Sequence, residues 1–283
     1  MMRERGAALL LVLWLTALLA ALIGAFAVTA RMESLQGQVA RDGTVARELA
    51  RAGIDYALVR IADQQPQTRW MPDGRGYDWM FSGSRLRINA IDESGKVDLN
   101  QADIRLLEQL LRVRGVPEET APQLAAAILD WRDADSLGQP RGGAEDPDYA
   151  AAGLEYGAKD APFESVAELQ QVLGMTSEYY ERLAPYLTLY SGRTLPDANY
   201  APGPVLVAMG LDAERILTQR ALPSDQAGAQ LAGGGSGTYS IESHATLRDG
   251  REATLRAVIR AGGGPVPGMA YTVLRWEEGT APP

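Results

Sequence analysis

The sequence predicts an α+β fold in which one long N-terminal helix packs on a small antiparallel sheet, and the sheet carries a large, all-helical insertion. Three observations support this prediction. No charged residue occurs in residues 7–30; apolar and polar residues alternate in two regions, 84–99 and 238–276; and the block between them, about 100–225, has helical periodicity. Apolar residues recur every three to four positions in amphipathic helices and every second position in half-buried strands.

The first 30 residues have the composition of a membrane-spanning helix. The uncharged run covers 24 positions, which as a helix reach about 36 Å and can cross a hydrocarbon core of about 30 Å. Arg3 and Arg5 precede the run, so the positive-inside rule predicts a cytoplasmic head and a chain that continues across the membrane. A cleaved secretory signal peptide is the alternative. It fits less well, because the run is longer than a usual signal core and continues into a helical pattern.

The helical pattern extends well beyond the apolar run. From Met32 to Val59, apolar residues recur at three- and four-residue steps among charged ones, which predicts a helix that lays an apolar stripe on a soluble domain. Gly37 and Gly43 each weaken a helix by about 1 kcal/mol relative to Ala, so we expect a bend or a melted turn between them. Pro66 marks the end of the helix.

Short alternating segments predict the strands. Residues 84–90 form the first strand, and residues 96–99 form a short second strand after a turn. Near the other end, residues 238–248 and 251–260 flank Asp249-Gly250, which is a type I′ hairpin signal. Residues 269–276 could add a further strand.

The block between the strands repeats a helix, loop, helix pattern. Predicted helices over 100–111 and 121–131 flank a loop at Gly115-Val116-Pro117, and helices over 163–172 and 179–187 flank a second loop. Residues 197–201 echo residues 98–102 and precede a third, shorter pair. These units resemble helix-hairpin-helix modules, many of which bind DNA through backbone amides. Pro117 has no N–H to offer a phosphate, so we interpret the modules as protein-packing units.

The composition excludes several classes of site. The chain has 283 residues, a formal net charge of −9, no cysteine and one histidine, His244. Without cysteine there is no disulfide, thiolate zinc site or cysteine nucleophile. The acidic balance repels nucleic acid and favours cations such as calcium. We expect no enzymatic activity, since a single histidine in an alternating strand is most often part of the packing or the surface.

Carboxylates are concentrated at one place in the insertion. Six of them lie within 19 residues and are the candidate metal ligands: Asp130, Asp133, Asp135, Glu145, Asp146 and Asp148. The first group ends a predicted helix, where the helix dipole is negative, so the carboxylates would repel one another. Calcium takes six to eight oxygen ligands and would relieve that repulsion. The alternatives are a solvated acidic loop and a paired-carboxylate hydrolase, for which no other cleft residue is evident.

The N-terminus resembles that of type IV prepilins and pseudopilins. Arg-Glu-Arg-Gly at 3–6 is followed by Ala-Ala-Leu-Leu-Leu, which implies a leader that prepilin peptidase removes between Gly6 and Ala7, followed by methylation of the new N-terminus. Most members carry Glu at the fifth mature position, where this chain has Leu11. A carboxylate in a lipid-facing helix requires a partner, which the resemblance gives as the amine of a neighbouring subunit. Leu11 cannot form that pair, which suits a subunit with no neighbour above it.

Further segments resemble the component K family of the type II secretion machinery. They are residues 97–100 (Val-Asp-Leu-Asn), 128–135 (Ile-Leu-Asp-Trp-Arg-Asp-Ala-Asp), 143–146 (Gly-Ala-Glu-Asp) and 163–169 (Phe-Glu-Ser-Val-Ala-Glu-Leu). The resemblance implies a pilin-like sheet domain with a helical insertion that binds calcium. It also implies association with the minor pseudopilins I and J and the major pseudopilin, in a fibre assembled from the bacterial inner membrane.

The expected function is therefore a minor pseudopilin at the tip of the type II secretion pseudopilus, needed for export of periplasmic proteins. The alternative is a membrane-anchored DNA receptor of the competence type. The expected organisation is a leader (1–6), a transmembrane segment (7–30), a periplasmic helix with the first strands (31–99), the inserted helical domain (100–225) and the C-terminal strands (226–283).

Overall fold

Helix α1 (Glu4–Ile61) is one continuous helix of 58 residues in the computed structural model. The structure describes residues 4–140, 142–221, 235–262 and 271–279. The helix continues through Gly37 and Gly43, so the expected melted turn does not form. Its segment Leu11–Thr29 has a mean hydropathy of 2.5 and is the one stretch, among the described residues, that is long and apolar enough to cross a membrane.

The C-terminal half of α1 packs on a five-stranded sheet. Its buried residues recur at helical spacing: Ala46, Leu49, Ala50, Ile54 and Ala57. Small side chains let the helix approach the strands closely. At Gly53 the approach is so close that a Cβ would overlap the Ser243 hydroxyl. Leu86, Ile88, Ile241, Leu255 and Ile259 complete this core from the strands.

The sheet is antiparallel throughout, with the strand order β1-β2-β5-β6-β7. Its strands are β1 (Asp73–Phe81), β2 (Ser84–Asp92), β5 (Thr238–Thr246), β6 (Glu252–Ala261) and β7 (Tyr271–Gly279). Strand β2 pairs directly with β5 although about 145 residues separate them. The helical block is therefore an insertion between two neighbouring strands, and the structure confirms the predicted α+β fold.

Two details of the predicted sheet were wrong. Strand β1 was missed because two glycines and three charged residues obscure its alternation; it is held by aromatic stacking, with Trp79 4.0 Å from Tyr56 and Tyr77 4.2 Å from Trp70 between ring centroids. The segment 96–99 contains only β3 (Val97–Asp98), which pairs in parallel with β4 (Leu187–Thr188) as a separate small sheet.

The hairpin at Asp249-Gly250 is present, but its turn is not type I′. Leu247 N–H donates to the Arg251 carbonyl at 2.8 Å, which leaves a three-residue loop between the strands. Gly250 has φ +83°, and Asp249 is not among the described residues with positive φ. Type I′ requires positive φ at both central residues. A single left-handed glycine is instead typical of a three-residue hairpin loop, in which a type I turn is followed by a glycine that forms a β-bulge.

The insertion forms a second core of its own, separate from the sheet. Its helices are α2 (Ile104–Val113), α3 (Thr120–Arg132), α4 (Asp146–Ala151), α5 (Ser177–Leu183), α6 (Gly203–Ala208) and α7 (Ala213–Ala221). Helix α4 is not among the individual helices predicted above, and the expected helix over 163–172 is a 3-10 helix at Val166–Gln171. The expected domain boundary at 225/226 lies outside the described residues.

Candidate metal centre

Three carboxylates of the insertion converge where α3 ends and α4 begins. Asp130 lies in the last turn of α3, Asp133 is its C-cap, and Glu145 is the N-cap of α4. One oxygen from each of these side chains lies within 4.8 Å of the others. The cluster brings together three of the six predicted ligands.

The three carboxylates are poorly solvated and incompletely paired. Asp130 is fully buried and Glu145 is 7% exposed. Glu145 Oε1 and Asp133 Oδ1 are buried and accept no hydrogen bond among the described residues. A buried charge without a partner is costly. A cation bound by the cluster would supply the partner that these two oxygens lack.

The electrostatics lead to the same conclusion. Burial, and then the charge of Asp130, raises the pKa of Glu145 to about 7. Burial is also the main cause of the raised pKa of Asp130 and of Asp133. Burial and the neighbouring carboxylate charges make each of these groups harder to ionise, and at Asp133 the charge of Arg132 only partly offsets this. A bound divalent cation would reverse that preference.

A tight return loop brings Glu145 to the end of α3. The N–H of Gln139 donates to both oxygens of Asp130, at 3.2 and 3.3 Å. At Gly143 a Cβ would overlap Asp130 Oδ2, so only glycine allows the loop to pass this close. The glycine-rich sequence between the two acidic groups thus has a specific packing reason.

The other three predicted ligands are engaged with backbone N–H groups. Asp148 accepts from Glu145 N–H at 2.9 Å, Asp146 from Ala158 N–H at 3.1 Å, and Asp135 from Leu137 N–H at 2.9 Å. Asp135 is nonetheless close enough for its charge to raise the pKa of all three clustered carboxylates. Asp146 and Asp148 hold the loop and α4 in place.

Asp160 is a negative charge near this cluster that the sequence patterns do not mark. It has φ +53°, an uncommon conformation for a residue other than glycine. Its charge contributes to the raised pKa of both Asp133 and Glu145. In the sequence it is an isolated aspartate beside Lys159, so no spacing pattern marks it.

We predict that the metal-free protein loses stability as the pH rises from about 4.5 to about 7. Glu145 has a raised pKa in the folded state, so the folded state binds more protons than the unfolded state over that interval, and stability falls with increasing pH. Thermal melting of metal-stripped protein at pH 5 and pH 7.5 tests this. The loss should be smaller in Glu145→Gln, and an equal loss in that variant would contradict the assignment.

The residues expected to mark the N-terminal processing site lie on α1. Leu11 is 69% exposed within the apolar segment. Gly6 and Ala7 are helical in backbone, whereas Met1 to Arg3 lie outside the described residues. The structure therefore leaves the predicted cleavage between Gly6 and Ala7 as a prediction.

The hairpin turns do not favour nucleic acid. Gly115 and Gly210 adopt the left-handed conformation that ends α2 and α6. Each following helix begins beside carboxylates: Glu118 and Glu119 precede α3, and Asp212 accepts from Arg215 N–H at 3.0 Å at the start of α7. These groups already occupy or repel the positions that a phosphate would take.

The chain is similar to known secretion proteins. Type II secretion system (T2SS) protein K is the family whose sequence pattern matches residues 84–192. The chain is 32% identical to type II secretion system protein K of Pseudomonas aeruginosa over 136 residues, covering 45% of this chain and 40% of that protein. It is 33% identical to the Klebsiella pneumoniae protein over 217 residues, covering 68% and 65%, and 29% identical to the Pectobacterium carotovorum protein over 215 residues, covering 65% and 62%.

The chain thus spans between 40% and 65% of the length of these relatives. Its fold is similar to a chain in the crystal structure of the GspK-GspI-GspJ complex from the enterotoxigenic Escherichia coli type 2 secretion system, with a TM-score of 0.56 and 19% identity. That similarity covers 89% of this chain and 99% of the other. The family segment includes Asp130, Asp133 and Glu145.

Proposed function

Because residues 84–192 match the type II secretion system protein K family, we propose that this chain is a minor pseudopilin that caps the tip of the pseudopilus. The observation that carries the proposal is the bulky helical domain inserted between β2 and β5 of a sheet packed on a long, membrane-anchored helix. A rod of this kind can stack with others through its helix, while the insertion adds width at one end.

We propose that the chain is anchored in the inner membrane by the single span Leu11–Thr29. Arg3 and Arg5 keep the N-terminus in the cytoplasm, and the sheet and the insertion lie in the periplasm. Prepilin peptidase cleaves between Gly6 and Ala7, and the new N-terminus is methylated. The role is structural and involves no catalytic step.

In this proposal, α1 packs beside the helices of the minor pseudopilins I and J. Leu11 replaces the carboxylate that would pair with the amine of a subunit above, so no subunit is recruited there. The insertion blocks further addition at the top, and the fibre grows from below as major pseudopilin is added. Growth then pushes exported proteins towards the outer membrane.

Calcium is the proposed ligand of the carboxylate cluster. Asp130, Asp133 and Glu145 offer the hard oxygen donors that calcium prefers, and Asp135 and Asp160 add negative charge around them. Main-chain carbonyls and water would complete the six to eight ligands. When bound, the ion would hold the end of α3 to the start of α4.

Leu11→Glu tests the proposed reason for the uncharged fifth mature position. We expect the variant to lose its restriction to the fibre end and to reduce secretion, because the new carboxylate can pair with the amine of another subunit. The assay is immunogold labelling of sheared fibres together with secretion of a reporter enzyme. Leu13→Glu places the same carboxylate in the same lipid-exposed segment, where Leu13 is 63% exposed. If Leu11→Glu gives unaltered tip assembly and secretion, the role given to Leu11 is wrong.

A further inference from the structure

Two arginines hold two copies of the same backbone turn. The turns are residues 98–102 and 197–201, and each begins with an aspartate that accepts the N–H of an asparagine two positions later, at 3.0 and 2.9 Å. Each turn precedes a helix pair, and an arginine at the end of that pair reaches back to it. The contacts are Arg132 to the carbonyls of Leu99 and Ala102, and Arg220 to the carbonyls of Ala198 and Ala201.

The two copies differ in their surroundings. Arg132 lies between Asp130 and Asp133 in a four-residue segment in which Trp131 is 3% exposed and packs in the insertion core. Burial lowers the pKa of Arg132, and the charges of Asp98 and Asp133 oppose that effect. The guanidinium thus binds the turn, and its neighbours along the chain, Asp130 and Asp133, belong to the carboxylate cluster. Arg220 has no such cluster beside it in the described part of the chain.

The first turn lies where the insertion leaves the sheet. Asp98 belongs to β3 and accepts from Gly192 N–H at 2.8 Å and Ser191 Oγ at 3.1 Å. Just before it, Lys96 Nζ is 2.7 Å from Glu93 Oε1, and both side chains are almost completely buried. Glu93 also accepts the hydroxyls of Thr188 and Ser240, which belong to β4 and β5. Residues 92–102, which we call the junction, therefore connect the insertion to the sheet.

We propose that Arg132 couples cation binding at Asp130, Asp133 and Glu145 to the junction, so that the bound cation stiffens the attachment of the insertion to the sheet. This inference rests on the calcium site of the proposed function. A cation that holds Asp130 and Asp133 also holds the turn of α3 that carries Arg132. If the junction opens locally and pulls Arg132 away, the ion must be released. Because a bound ligand suppresses local openings that destroy its site, the bound ion should make this opening rarer.

Hydrogen exchange of the full-length protein in detergent, with calcium and with a chelator, tests the coupling. The reporters are the amides of Gln101 and Ala102, which donate to the Asp98 carbonyl, and the equivalent amides of Tyr200 and Ala201, which donate to the Asp197 carbonyl. At free calcium 100 times the Kd, we expect exchange at the first turn to slow by up to about 100-fold. The second turn contacts the junction at Ser94 and Gly95 but holds none of the clustered carboxylates, so its amides should slow less than those of the first turn. Equal slowing in both turns would overturn the inference.

Arg132→Lys and Arg220→Lys form a matched pair. Each keeps the charge and loses the planar fork that reaches two carbonyls. We expect Arg132→Lys to bind calcium, as measured by calorimetry, but to lose the selective slowing of exchange at residues 101 and 102. We expect Arg220→Lys to retain that selective slowing. Retention of the slowing in Arg132→Lys would contradict the coupling. Calcium binding by the wild-type chain without selective slowing would overturn this inference alone, whereas no calcium binding would overturn the calcium proposal as well.

Discussion

Glu145→Gln is expected to abolish the calcium-dependent rise in melting temperature. Glu145 is buried, has an unpaired oxygen and carries the largest upward pKa shift of the three clustered carboxylates. At free calcium 100 times the Kd, a ligand that binds only the folded state stabilises it by about 2.7 kcal/mol. For a domain of this size that corresponds to about 5–10 °C in the melting temperature.

The variant keeps the shape of the side chain but removes the charge. The metal-free variant should be at least as stable as metal-free wild type at pH 7.5, because one of the mutually repelling carboxylates is gone. Glu155→Gln is the matched control, since Glu155 is an exposed carboxylate in the loop after α4; it should keep the full calcium shift. A calcium shift that persists in Glu145→Gln would remove Glu145 from the site.

Gly95→Ala is expected to destabilise the protein by about 1–3 kcal/mol or more, as overpacking of a rigid interior does. Gly95 lies in the junction, where a Cβ would be 2.5 Å from the carbonyl carbon of Tyr200 and 2.8 Å from the nitrogen of Ala201. Both are backbone atoms of the second arginine-bound turn, so no flexible side chain can move aside. The helical insertion and the junction would have to separate.

Gly43→Ala is expected to stabilise the protein, in contrast to Gly95→Ala. Nothing lies within 4 Å of a Cβ at Gly43, and replacing glycine by alanine inside a helix stabilises it by up to about 1 kcal/mol. Urea unfolding of the two variants, with the wild type beside them, measures both effects. If Gly95→Ala unfolds at the same urea concentration as wild type, the close packing at the junction is wrong.

The elements that sequence analysis predicted best are those with strong periodicity. Helix α1 and strands β5 and β6 have long apolar patterns that match helix and strand spacing. Strand β1 was missed because Gly74, Gly76 and its charged residues dilute the alternation. Its pairing depends on stacking with Tyr56 and Trp70, which come from a different part of the chain. A contact of this kind has no local signal.

The same distinction applies to the candidate metal centre. The high density of Asp and Glu residues was enough to locate the acidic region. It could not distinguish the carboxylates that converge in the cluster from those that accept backbone N–H groups. Glu145 and Asp148 share one capping box, yet only Glu145 joins the cluster. Asp160 approaches through a loop with an unusual φ. The repeat of residues 98–102 at 197–201 was visible in the sequence, whereas the arginines that bind the two turns were not.

The central claim, that this chain occupies only the end of a pseudopilus, is tested most directly by its position on intact fibres. Fibres from cells that carry an epitope in the loop at 248–250, between β5 and β6, can be labelled with gold and imaged by electron microscopy. We predict label at one end of each fibre, while label against major pseudopilin covers the shaft. Label distributed along the shaft, or fibres of normal number and length that carry none of this chain, would contradict the claim.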